Sequence, residues 1–133
     1  MCGIAGITLK KPNNRLSKAF LKISNFLSHR GPDSKGFFQN SRLSIIHTRL
    51  SIIDVSGGKQ PINNDDLVLA VNGEIYNDLE IRKKNKDFNF KTNSDSESIL
   101  AVYRKYGLDG FKHLRGMYAF SLYDKKKNQL DQL

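Results

Sequence analysis

A continuous apolar run at residues 67–71, Leu-Val-Leu-Ala-Val, does most to limit the folds open to this chain. Such a run, bounded by turn residues, is typical of a buried central strand of a sheet. The sequence Asn63-Asn64-Asp65-Asp66 precedes it as a hairpin turn, and Asn72-Gly73 is expected to end it. The fold is therefore expected to be organised around a sheet.

Two longer segments have helical periodicity. In the first, Leu16, Phe20, Ile23 and Leu27 recur at helical spacing, and Gly31-Pro32 is expected to stop the helix. In the second, Ser94-Asp95-Ser96-Glu97 predicts a capped start and Gly107 a stop. A short helix capped by Asn77, with Glu80 three residues later, and a helical turn at residues 108–114 are also expected.

The remaining pattern predicts strands. These are expected at residues 2–9, 36–38, 42–50, 88–92 and 117–124, with a hairpin turn at residues 125–128 and a returning strand near Leu130. A turn is expected at residues 10–15 and a glycine-rich turn at residues 55–61. Strands and helices in this order predict an α+β fold with a largely antiparallel sheet.

Composition excludes several classes of function. The 133 residues carry a net charge of +9, but the lysines are scattered and form no basic stripe, so nucleic-acid binding is not expected. No apolar stretch is long enough for a signal peptide or a membrane span. A single cysteine excludes an internal disulfide and suits a reducing cytoplasm. Three histidines at residues 29, 47 and 113 lack zinc-ligand spacing, so no metal is expected.

That single cysteine is Cys2, one cleavage away from being a free N-terminal residue. After removal of Met1, the residue would carry a thiol with a pKa near ~8.5 and an α-amine with a pKa near ~7.7–8.0. The amine could accept the thiol proton and later return it to a leaving amine. The alternative interpretation is a small, buried apolar residue in a strand.

Seven short motifs occur in an order that resembles one family. They are Cys2-Gly3-Ile4-Ala5-Gly6, His29-Arg30-Gly31-Pro32-Asp33, Arg49-Leu50-Ser51-Ile52-Ile53-Asp54, Gly58-Lys59-Gln60-Pro61, Val71-Asn72-Gly73-Glu74-Ile75-Tyr76-Asn77, Ser94-Asp95-Ser96-Glu97 and Gly116-Met117-Tyr118-Ala119-Phe120. The chain closely resembles the class II glutamine amidotransferase domain of glutamine-hydrolysing asparagine synthetases.

The resemblance implies an N-terminal nucleophile hydrolase fold, a four-layer αββα sandwich, with residues 1–133 forming a partial type 2 amidotransferase domain. It also implies hydrolysis of L-glutamine to L-glutamate and ammonia through a cysteine thioester. No cofactor is expected in this chain, because ATP and magnesium belong to a synthetase domain that is absent here.

The resemblance further implies the roles of individual residues. Cys2 matches the nucleophile, and Asn72 with Gly73 matches the oxyanion hole. Arg49 matches the residue that pairs with the substrate carboxylate, in a substrate-binding segment that continues through Leu50, Ser51, Ile52 and Ile53. Glu74 matches an adjoining substrate contact, and Asp95 the acceptor of the substrate α-amine.

These residue types suit the chemistry of glutamine hydrolysis, although each also has a structural explanation. An oxyanion needs preorganised donors, which an Asn amide and a Gly backbone N–H supply, while Asn-Gly is equally a common turn. An Arg fork suits a carboxylate, but Arg is also frequent at surfaces. A carboxylate at a helix start is favoured by the helix dipole as well as by a cation.

The chain departs from the family pattern in two places. Thr48 stands where an acidic residue often precedes the matching Arg, and the family's later segments do not follow Leu133. Three interpretations are open: a truncated or fragmentary amidotransferase, a subunit paired with a separate synthetase chain, or an inactive remnant. The alternative function is therefore a non-catalytic glutamine-binding or subunit-interaction module. Asp33 is expected to fix its loop by hydrogen bonds.

Overall fold

The computed structural model describes residues 2–9, 16–52, 54 and 57–133. The turn expected at residues 10–15, Ile53, and residues 55–56 of the glycine-rich turn lie outside these ranges. In the described part, the seven strands form two antiparallel sheets.

The first sheet has three strands in the order β1-β3-β2. They are β1 (Gly3–Thr8), β2 (Ser34–Gln39) and β3 (Leu43–Arg49). The second sheet has four strands in the order β4-β5-β6-β7. They are β4 (Ile62–Asn64), β5 (Leu67–Ile75), β6 (Gly116–Asp124) and β7 (Gln129–Gln132).

Three α-helices and two 3-10 helices complete the described fold. The α-helices are α1 (Leu16–Phe26), α2 (Asp78–Lys84) and α3 (Glu97–Tyr106). One 3-10 helix, Leu27–His29, follows α1, and the other, Gly107–His113, follows α3. Gly107 has φ of +62° and ends α3, as the sequence predicts.

The apolar contacts define four layers. Phe20 of α1 packs on Ile46, on the outer face of the first sheet. Ile45 of that sheet packs with Val68 of the second, between the two sheets. The largest apolar cluster lies on the far side of the second sheet, where α2 and α3 pack; its members include Leu69, Val71, Ile81, Ile99 and Val102. The expected α+β class and helix–sheet–sheet–helix order are confirmed.

Strand β5 is longer than the sequence predicts. It continues past Val71 through Asn72 and Gly73 to Ile75, because β6 pairs with it over its whole length. Strand β4 pairs only as far as Leu69. One edge of β5 is therefore not covered by β4 beyond Leu69, and this edge borders the cavity described below.

The strand predicted at residues 88–92 is wrong. Phe88 and Phe90 lie in a loop. Their rings are arranged edge to face with their centres 4.7 Å apart, and they pack against the largest apolar cluster. The Arg82 guanidinium lies 4.3 Å from the centre of the Phe90 ring. The alternating pattern therefore comes from an aromatic cluster instead of from the two faces of a pleated strand.

The helix caps also differ from the prediction. Helix α2 begins after Asn77, but the Asn77 side chain donates to the His113 carbonyl (2.9 Å) and accepts from the Arg115 N–H (2.8 Å). Glu97 is fully buried and accepts the N–H groups of Lys91 (2.9 Å) and Thr92 (2.8 Å). Both side chains therefore fix neighbouring loops and do not cap their helices.

None of the described helices has the length and apolar character needed to cross a membrane.

Candidate active site

A cavity of about 420 Å³ opens beside the edge of β5 that β4 leaves uncovered. Its volume lies within the range of small-molecule sites. Eight of the sequence-predicted site residues line it: Cys2, Arg49, Leu50, Ile52, Asn72, Gly73, Glu74 and Asp95. Ser51 does not line it; its N–H instead donates to the Asp33 carboxylate (2.7 Å), which confirms the expected role of Asp33 in the loop. Ile53 lies outside the described residues.

Cys2 lies immediately before β1 and is partly buried. Pairing of Gly3 with Thr48 brings it beside the end of β3. Its Sγ atom is 3.4 Å from the Leu50 backbone nitrogen and 3.7 Å from the Leu50 carbonyl oxygen. The N–H can donate to sulfur and the thiol can donate to the carbonyl, so the Leu50 backbone can serve both protonation states. Arg30 Nε donates to the Cys2 carbonyl at 3.2 Å.

Side chains continue the hydrogen bonding of β5 where β4 has ended. The Val71 N–H donates to Gln60 Oε1 (2.6 Å), and His47 Nε2 donates to the Val71 carbonyl (2.8 Å). His47 belongs to the other sheet and is fully buried, and that burial lowers the pKa of its imidazole. The lowered pKa favours the neutral imidazole, which links the two sheets just before Asn72.

Two residues beyond Gly73, the Ile75 N–H donates to Asp95 Oδ2 at 2.6 Å. Backbone N–H groups two residues apart on a strand point to the same edge. The Gly73 N–H is thus directed to the cavity edge, between the Val71 and Ile75 groups that Gln60 and Asp95 already occupy.

Glycine is required at position 73. Its φ is +146°, and a Cβ there would overlap the Met117 carbonyl and the backbone of Tyr118. The strained conformation and the close pairing with β6 exclude a side chain. The neighbouring Asn72 also lines the cavity, so two residues adjacent along β5 contribute to its wall.

The Arg49 guanidinium is held by the backbone that follows β3. Arg49 is buried, and its Nη2 donates to the Asp54 carbonyl at 2.7 Å. A Cβ on Gly58 would come within 2.7 Å of that nitrogen. A glycine at this position is therefore what leaves room for the guanidinium.

Asp95 lies just before α3 and is 7% exposed. Burial raises the pKa of its carboxyl, although the N–H groups of Ile75 and Ser96 lower it, and the Asp78 carboxylate adds to the rise. A buried carboxylate of this kind is stabilised when a cation binds beside it.

Sequence reasoning did not assign several residues of the cavity wall to the site. They are Gly58, Gln60, Val71, Tyr76, Ser94, Ser96, Met117, Tyr118 and Ala119. All of them fall within or beside the seven motifs, which is the signal that could have found them. Among the described residues, no group of three or more His, Cys, Asp or Glu side chains could hold a metal ion.

The helix–sheet–sheet–helix layers, with Cys2 immediately before the first strand, have the fold of the N-terminal nucleophile hydrolases. The described fold matches that of the glutamine phosphoribosylpyrophosphate amidotransferase from B. subtilis, solved with ADP and GMP, with a TM-score of 0.71 over 94% of this chain and 35% of that one. At 20% identity, the likeness shows the fold alone.

Sequence comparison defines the family more closely. A model of the glutamine amidotransferase domain matches residues 1–132, and the chain belongs to this family. It is 43% identical to asparagine synthetase B [glutamine-hydrolyzing] of Escherichia coli K12 over 96% of this chain and 24% of that protein. It is 39% identical to asparagine synthetase [glutamine-hydrolyzing] 1 of Saccharomyces cerevisiae over 98% of this chain and 23% of that protein. The chain thus spans about a quarter of the length of these relatives.

Proposed function

We propose that this chain hydrolyses L-glutamine to L-glutamate and ammonia, with Cys2 as the nucleophile. One observation supports this most strongly: a thiol, a backbone N–H directed at a strand edge, a buried guanidinium and a buried carboxylate share one cavity. These groups match the four chemical features of glutamine hydrolysis: an electrophilic carbon, a developing oxyanion, a carboxylate and an ammonium.

The proposed reaction begins with Met1 removed, so that the Cys2 α-amine accepts the thiol proton. The thiolate attacks the side-chain carboxamide carbon, and the electron pair of the C=O bond moves to oxygen. The Gly73 N–H and the Asn72 side-chain amide stabilise this oxyanion. The protonated amine then returns its proton to the leaving nitrogen, and the C–N bond breaks to release ammonia. Water hydrolyses the remaining thioester to glutamate and regenerates the thiol.

Arg49 and Asp95 select a free amino acid. The Arg49 guanidinium pairs with the substrate α-carboxylate, and the Asp95 carboxylate with the α-ammonium. Binding of the ammonium would favour the charged form of Asp95, which its burial disfavours in the free protein. Leu50, Ile52 and Glu74 complete the proposed contacts, and the reaction needs no cofactor.

We further propose that the ammonia passes to a synthetase domain or a separate synthetase chain, where ATP and magnesium would be used. The support is that relatives named as glutamine-hydrolysing asparagine synthetases are about four times as long as this chain. A reducing cytoplasm is the proposed location, because it would keep the Cys2 thiol reduced.

The test is release of glutamate and ammonia from glutamine by the purified chain, after intact mass has shown that Met1 is gone. Equal amounts of both products, released catalytically, are expected. Calorimetry with glutamine on the same sample identifies the alternative, a binding module, which would bind glutamine without turnover. A chain that still carries Met1 serves as the control and is expected to be far less active, because it lacks the Cys2 α-amine.

A further inference from the structure

Asp54 connects the two groups that are expected to bind the opposite charges of an amino acid. Its backbone carbonyl accepts from Arg49 Nη2 (2.7 Å), and its Oδ2 accepts the Asn93 N–H (3.0 Å). Asn93 lies two residues before Asp95. A single residue therefore contacts both the guanidinium and the loop that carries the carboxylate.

Two further hydrogen bonds fix the local conformation of Asp54. Its Oδ1 accepts the Gly57 N–H (3.0 Å), and its carbonyl also accepts the Gly58 N–H (2.9 Å). Its φ is +50°, in the left-handed region that Asp, Asn and Gly tolerate best. In this conformation Asp54 presents its carbonyl to Arg49 and its carboxylate to Asn93 at the same time.

We infer that Asp54 is a positioning residue that sets the spacing between Arg49 and Asp95, and thereby the selectivity for a free α-amino acid. The inference deepens the proposed function and rests on it. Asp54 does not line the cavity, so its effect passes through the two residues that do.

The two halves of this connection can be separated. Asp54→Gly keeps the backbone carbonyl and accommodates the positive φ, but removes both carboxylate bonds, so it releases the Asn93 loop and leaves the contact to Arg49 available. Gly58→Ala does the opposite, because the added Cβ meets the guanidinium. Asp54→Asn keeps the conformational preference and one acceptor oxygen, and is expected to be intermediate.

The experiment compares L-glutamine with 4-carbamoylbutanoate, which lacks only the α-ammonium. Asp54→Gly is expected to raise KM for glutamine about 10- to 100-fold, the effect of losing one charge-assisted contact, with kcat nearly unchanged. The kcat/KM for 4-carbamoylbutanoate should hardly change. Gly58→Ala should impair both substrates, because both carry the carboxylate.

Asp65→Gly is the matched control. Asp65 also has a positive φ, of 54°, but it lies in the β4–β5 turn, outside the cavity wall. It should leave the kinetics of both substrates unchanged. Equal losses for both substrates in Asp54→Gly, or no loss at all, would overturn the inference, since a general structural defect does not distinguish the two compounds.

Calorimetric binding of L-glutamate and of glutarate is measured in parallel, because it needs no hydrolysis: glutamate can make both contacts, whereas glutarate can make only the contact to Arg49. Asp54→Gly should weaken glutamate binding and spare glutarate binding. A wild-type chain that binds glutamate but does not hydrolyse glutamine would contradict the proposed function and leave this test intact. A wild-type chain that binds neither would overturn both.

Discussion

Asp95 accepts the backbone N–H of Ile75 at 2.6 Å. A proposed substrate-binding carboxylate therefore also completes the hydrogen bonding at the end of the strand that carries Asn72 and Gly73. The same residue thus holds the end of this strand and lines the cavity. Two substitutions at this residue can distinguish the effect of its charge from the effect of its hydrogen bond to Ile75.

Asp95→Asn is expected to retain the bond from Ile75, because an amide oxygen accepts an N–H, and to lose the charge. We expect KM for glutamine to rise about 10- to 100-fold, as for a lost charged contact. Steady-state kinetics test this, and Asp95→Ala, which loses the bond as well, should also lower kcat. An unchanged KM in Asp95→Asn would contradict the proposed pairing with the α-ammonium.

The same variant should change the pH dependence of stability. Burial raises the pKa of Asp95 in the folded state, so ionisation opposes folding. The cost is absent below the unfolded pKa of about 3.9 and is fully present above the raised folded pKa. Asp95→Asn should therefore be more stable than wild type at pH 7, and the difference should vanish near pH 3. Urea unfolding at both pH values measures it, and a constant difference would contradict the assignment.

Gly73→Ala is expected to destabilise the chain strongly, because its Cβ would overlap the β6 backbone and its φ is +146°. Strain of this kind costs on the order of 1–3 kcal/mol before the steric overlap is counted. Gly107→Ala is the matched control: φ is +62°, and a Cβ there would meet nothing within 4 Å. With ψ at −144°, an alanine there should cost only the backbone strain, about 1–3 kcal/mol, without the steric overlap. Urea unfolding compares the two, and equal losses would contradict the account of position 73.

Gln60→Leu should leave the Val71 N–H without its acceptor, at a cost of about 1–3 kcal/mol. Because Val71 directly precedes Asn72 and Gly73, loss of this bond should displace them. We therefore expect kcat for glutamine to fall, and by a larger factor than KM changes. Gln60→Glu keeps an acceptor of the same length and should recover most of the stability. Equal kinetics in the Leu and Glu variants would show that this bond does not position the proposed oxyanion hole.

Local patterns predicted most elements correctly but not their exact ends. The apolar run at residues 67–71 predicts β5, yet its extension to Ile75 depends on pairing with β6, a contact distant in sequence. The alternation of Phe88 and Phe90 predicts a strand, because sequence spacing does not distinguish a pleat from an aromatic cluster.

For the site, too, the sequence predicted only part of what the structure shows. Motif order and residue chemistry predicted eight of the cavity residues, but not how they are held. The bonds from Val71 to Gln60 and from Ile75 to Asp95 join residues 11 and 20 positions apart and follow no local rule. Likewise, the use of Asn77 and Glu97 to fix loops depends on partners that become neighbours only after folding.

The central claim is that Cys2 is the nucleophile, and glutamate release by wild type, Cys2→Ser and Cys2→Ala tests it most directly. Met1 removal is first verified by mass in all three. The account predicts turnover by wild type, none by Cys2→Ala and at most a trace by Cys2→Ser, with glutamine binding retained in both variants. Glutamate release by Cys2→Ala at the wild-type rate would contradict it.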